Sequence, residues 1–101
     1  MSTQDSFLHE IFTKIEEAEK LAAYAEGEQH SQADRAGSIV RWLIVADEAT
    51  ALIIRAKEHL DERELAELEQ EIDLQFPGAW NEYSQNVRRF KQFRGKELYE
   101  Q

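Results

Sequence analysis

Residues 35–60 read RAGSIVRWLIVADEATALIIRAKEHL, and this stretch decides the fold. Ile39, Trp42, Ala46, Ala49, Ile53, Ala56 and Leu60 recur in alternating steps of three and four. That spacing holds one stripe on one side of an α-helix through successive heptads. Apolar side chains also stand away from the stripe, at Val40, Leu43, Ile44, Val45, Ala51, Leu52 and Ile54. The polar remainder is a narrow line through Arg41, Glu48 and Arg55, flanked by Asp47 and Glu58. A helix that is apolar over most of its circumference is normally covered on several sides. The 35–60 helix is therefore expected at the centre of the molecule.

Working outward, the upstream segment predicts a helix over 6–26. Leu8, Ile11, Ile15, Ala18, Ala22 and Ala25 form its stripe, widened by Phe7, Phe12 and Leu21, with Asp5 or Ser6 as the N-cap and Gly27 in the left-handed position past its end. Residues 27–34 read as a polar loop in which Ser31 or Asp34 caps the next helix. Downstream, Asp61 followed three residues later by Glu64 has the pattern of a capping box, predicting a helix over 62–74. A continuous helix through residue 74 is the rival. It puts Arg63, Glu67, Gln70 and Leu74 on the seam and turns Leu65, Leu68 and Ile72 away, so the break at Asp61 is favoured. Phe76 is disfavoured in the α region by Pro77, and Pro77-Gly78 opens a fourth helix over 78–94 or longer, carrying Trp80, Tyr83, Val87 and Phe90. Short connections favour antiparallel neighbours. The fold class expected is all-α, an up-and-down bundle of about four helices in a single domain, 1–101.

Composition agrees. The chain has 101 residues, 42% of them hydrophobic, with four Gly and one Pro, too few turn formers for a multi-stranded sheet. A chain of this length buries roughly 65% of its unfolded surface, enough for one core. It has no cysteine, which excludes disulfides and thiolate sites and fits a reducing cytoplasm. The start, Met1-Ser2-Thr3-Gln4-Asp5, shows no basic segment before an apolar one, so no signal peptide is read. The longest uncharged runs in the apolar centre, Trp42–Ala46 and Ala49–Ile54, fall far short of the ~20 residues a membrane span requires.

The net charge is −9, unevenly spread. Residues 1–78 carry seven Lys/Arg against eighteen Asp/Glu, whereas residues 79–101 carry five against three. Such a body repels nucleic acid and anionic membrane and favours a basic protein partner. Arg88, Arg89, Lys91, Arg94 and Lys96 interleave with Phe90 and Phe93, a pattern used to bind single-stranded nucleic acid. The acidic body and the core spacing of Trp80, Tyr83, Val87 and Phe90 argue against nucleic-acid binding.

No catalytic, cofactor or metal constellation is assigned. His9, His30 and His59 have no partners readable from the sequence, and His9-Glu10 lacks a second His four residues on. Glu16-Glu17 and Glu58-His59-Leu60-Asp61 resemble in part the paired carboxylate sets of all-α nucleotide pyrophosphohydrolases of the MazG type. The resemblance implies a Mg²⁺-dependent enzyme. Lys20 stands where that family has the last Glu of its first set, and the second set lies farther along the chain than usual.

Two surfaces remain for a partner. Val40, Ile44, Ala51 and Ile54 lie toward the far side of the central helix and form a continuous apolar patch if uncovered, which soluble monomers seldom tolerate. They are the expected self-association residues of a homodimer. Glu64, Glu67 and Glu71, on a helix where Arg63 is the lone cation, are the expected partner-facing acidic residues. Together these predict an interaction module of the regulator, inhibitor or immunity type. The carboxylate-and-Mg²⁺ enzyme is the alternative.

Overall fold

The computed structural model describes residues 2–85 together with Arg89 and Phe90. Among them are four helices and no strand: α1 (Thr3–Glu26), α2 (Gln32–His59), α3 (Glu62–Gln75) and α4 (Ala79–Ser84). α1 and α2 are an antiparallel hairpin. Arg35 Nε donates to Ala25 O at 2.8 Å, Ser38 Oγ donates to Leu21 O at 2.7 Å, and farther along Lys14 meets Glu48 at 3.1 Å.

α3 runs back beside α1. Gln4 Nε2 donates to the carbonyl of Glu64 at 3.0 Å, and Phe12 meets Phe76 at 5.2 Å between ring centroids. α4 continues in the same direction. Tyr83 reaches Glu19, and Arg89 reaches both Glu19 and Glu26. The bundle thus has three columns, the third made of α3, α4 and the turn at Arg89–Phe90, broken once at Phe76-Pro77-Gly78. Phe76 leaves the α region, at φ −133° and ψ 86°, and Gly78 takes φ 80°, a left-handed conformation open to glycine at little cost. Asp73 bridges the break from the last turn of α3, its Oδ1 accepting from Trp80 N at 3.0 Å.

The core follows the expected stripes. On α2 all seven residues from Ile39 to Leu60 are buried, and on α1 Ile11, Ile15, Ala18, Ala22 and Ala25 are fully enclosed. Phe7, expected to widen the stripe, is buried, whereas Leu8, expected within it, is half-buried. Small side chains on α1 leave room beside Trp42, and the third column fills it. Tyr83 lies 6.2 Å from the indole and Phe90 meets it edge-on at 5.2 Å. Thr50 is buried on α2, and its hydroxyl contacts the carbonyls of Tyr83 at 2.6 Å and Ala46 at 3.0 Å, tying α4 to the hairpin.

The break at Asp61 is present as a full capping box: Glu64 N donates to Asp61 Oδ1 at 2.8 Å and Asp61 N to Glu64 Oε1 at 3.1 Å. Other boundaries differ from expectation. Ser2, not Asp5 or Ser6, caps α1, because its Oγ accepts from Asp5 N at 3.1 Å. Ser31, one of the two expected caps, caps α2, but the helix starts at Gln32 rather than residue 35 and shortens the loop. Gly27 is extended, at φ −78° and ψ 117°, since the chain turns through Tyr24 stacked on His30 at 3.7 Å and needs no left-handed residue there. α4 closes at Ser84, with Gln85 N donating to Asn81 O. Arg89 and Phe90 lie in a turn, and the remainder of the 78–94 expectation, Val87 included, falls outside the described residues.

Candidate functional site

α2 has two faces. Its inner face is sealed by α1 and the third column. On its outer face Val40, Ile44 and Ile54 are 44%, 57% and 49% exposed, and Ala51 between them is exposed as well. Val40, Ile44, Ala51 and Ile54 lie within about 80° of one another around the helix at 100° per residue, so they form one line. Asp47 sits in that line midway, and Arg41, Glu48 and Arg55 run along one side of it, all exposed. Two of these charges reach back to α1: Glu48 pairs with Lys14 at 3.1 Å and Arg41 approaches Glu17 at 4.0 Å.

The acidic helix divides. Glu64 serves the capping box, where its carboxylate accepts from the backbone of Asp61. Glu67 and Glu71 line a groove between α3 and α1. Glu67 Oε1 accepts from Gln4 Nε2 at 3.2 Å, and Glu71 borders two adjoining cavities, one of about 310 Å³ lined by Leu8 and Phe12 and one of about 240 Å³ lined by Leu8 and Leu68. On the other side of α3, Leu74 is 69% exposed. Its position outside the Leu65–Leu68–Ile72 stripe already marks it in the sequence as a residue turned away from the core.

The carboxylate sets of the enzyme alternative are not brought together. Glu17 lies across from Arg41, and Glu58 is a further 17 residues along α2, about 25 Å at the helical rise. Asp61 is occupied as the N-cap of α3. Among the described residues no group of three or more His, Asp or Glu side chains converges as a metal site requires. The histidines are also apart: His9 borders the α1–α3 groove, His30 stacks on Tyr24, and His59 Nδ1 contacts Arg55 O at 2.8 Å.

One polar cluster escaped the sequence. Tyr83 Oη donates to Glu19 Oε2 at 2.7 Å. Arg89 bonds both oxygens of Glu19, at 3.1 and 3.2 Å, and its Nε meets Glu26 Oε1 at 2.8 Å. Burial, then the bond to Glu19, holds the Tyr83 phenol well above its usual range. Glu82 stands beside them with a buried oxygen lacking a hydrogen-bond partner. Burial raises its pKa, the Arg89 charge opposes that rise, and the Glu19 and Glu26 charges add to it. Glu19 and Glu26 are one heptad apart on α1, which marks a shared face but not what crosses it.

Among the described residues no helix is long and apolar enough to cross a membrane. No family model, no curated protein and no solved structure matches the chain.

Proposed function

We propose that the protein is an acidic protein-interaction module that acts as a homodimer, joined through the outer face of α2 and presenting the acidic side of α3 to a basic macromolecular partner. The exposure of Val40, Ile44 and Ile54 in one line carries this reading. A helix whose opposite face is already sealed gains nothing within its own chain from three large apolar side chains in water. Covering them in a second molecule removes the unfavourable surface. The face is one helix wide, at the low end of specific interfaces, so the dimer is expected to be concentration-dependent.

Light scattering over micromolar to millimolar concentrations tests it. The expected result is a concentration-dependent dimer that Ile44→Glu abolishes while leaving helix content unchanged. A monomer throughout that range overturns the reading.

A further inference from the structure

The outer face of α2 also specifies how a second copy would lie on it. We infer that the two α2 helices pack antiparallel about a two-fold axis at the level between residues 45 and 46, and this rests on the homodimer reading above.

The seam itself is a second three-four repeat: Gly37, Val40, Ile44, Asp47, Ala51 and Ile54, all exposed. Beside it runs a flank at strict heptad spacing, Asp34, Arg41, Glu48 and Arg55, alternating in sign and exposed throughout. A two-fold axis perpendicular to the helices brings each flank against its own copy. With the axis between residues 45 and 46, Arg41 comes within two residues, about 3 Å along the axis, of the level of Glu48 of the second copy, and Asp34 equally near that of Arg55 of the second copy, within reach of these long side chains and each pair occurring twice. All four contacts join opposite charges. Moving the register one heptad either way sets Glu48 against Glu48 or Arg41 against Arg41 of the second copy. Like charges so placed oppose association. A parallel pair stacks Asp47 on Asp47 and presents the charged flank to Ala36, Leu43, Thr50 and Lys57, where there is one charge to meet it.

The apolar layers fit the same register. Ile54 falls over Gly37 of the second copy and Val40 over Ala51 of the second copy, large on small, while Ile44 lies at the level of Asp47. Gly37 supplies independent support. A Cβ built there meets nothing within 4 Å in its own chain, yet glycine inside a helix is destabilising relative to alanine. A flat spot receiving Ile54 gives that glycine a use. Arg41 is free to reach a second copy, because its side chain is 70% exposed and its contact with Glu17, at 4.0 Å, is long.

The chain has no cysteine, so introduced thiols report without interference. In the proposed arrangement the double variant Val40→Cys with Ala51→Cys forms a disulfide-linked dimer on mild oxidation. Val40→Cys alone does not, because its two copies sit about 16 Å apart along the axis, eleven residues at the helical rise. Cross-linking of Val40→Cys alone shows a parallel pair and overturns the inference. A dimer by light scattering that the double variant leaves unlinked also overturns it, while the homodimer stands; a monomer overturns both. Charge exchange gives a second measurement. Arg41→Glu raises the dimer dissociation constant roughly tenfold through two new like-charge contacts. Adding Glu48→Arg restores most of the affinity, and losses that merely add overturn the register.

Discussion

The inner and outer faces of α2 carry the same three-four repeat and meet opposite fates. Ile39, Trp42, Ala46, Ala49, Ile53 and Ala56 are enclosed by α1 and the third column, whereas Val40, Ile44 and Ile54 stand in solvent. Periodicity locates a seam without saying which chain closes it. Inside, closure is intramolecular and its energy is stability. Outside, the same kind of side chain holds surface available to a second molecule. The sharpest way to break this distinction is to truncate one residue on each face. Trp42→Ala removes the indole on which Tyr83 and Phe90 converge and should cost about 3–5 kcal/mol, a large share of the roughly 5–15 kcal/mol available to a domain. Ile44→Glu, measured where the chain is monomeric, should change folding stability by no more than about 0.5 kcal/mol. Urea unfolding of both variants checks the contrast; comparable losses would mean that the outer face is also part of the intramolecular core.

A smaller effect separates the hairpin from the third column. Thr50 is a polar residue on the sealed side of α2, and its hydroxyl serves the carbonyl at the end of α4. Thr50→Val keeps the shape and deletes the short side-chain donor to the Tyr83 carbonyl. The expected loss is about 1–2 kcal/mol, read as a lower urea midpoint at unchanged slope. If α4 and Phe90 held themselves on Trp42 by apolar contact alone, the substitution would be neutral.

What the sequence disclosed and what it hid follows from range. The stripe of α2, the break at Asp61 and the exit of Phe76 from the helix are decided by residues within a few positions of each other, and local spacing reports them well. α4 misled because Trp80, Tyr83, Val87 and Phe90 keep helical spacing, yet Phe90 reaches Trp42 from a turn. Gly27 misled because a glycine after a helix has several uses, and the left-handed one belongs instead to Gly78. Glu64 is half of the cap that its spacing from Asp61 announced. The excess of apolar residues on α2 was legible, and so was its polar line, because both are properties of one helix. The bond from Tyr83 to Glu19 spans 64 positions and depends on where the third column crosses α1, which no local pattern encodes.

That crossing gives the mildest effect. Glu82 is half-buried next to Tyr83, with one carboxylate oxygen unpartnered and two other carboxylates near. Its pKa is raised in the folded chain, so over the window that opens at the ordinary glutamate value and closes at the raised one, the folded state holds more protons than the unfolded state. Stability therefore falls as pH rises through that window, the reverse of what a salt-bridged carboxylate does. Arg89 limits the rise without cancelling it. Glu82→Gln removes the titration and should give a small gain in melting temperature at neutral pH. Relative to the native chain the gain shrinks as pH drops through the window, and the comparison subtracts every other carboxylate the two chains share. Melting curves from acid to neutral pH check both the sign and the slope. A variant less stable at neutral pH, with a gap that widens there, would mean that the Glu82 charge is welcome beside Arg89 and that this end of the third column is held by ion pairing rather than by Trp42, Tyr83 and Phe90.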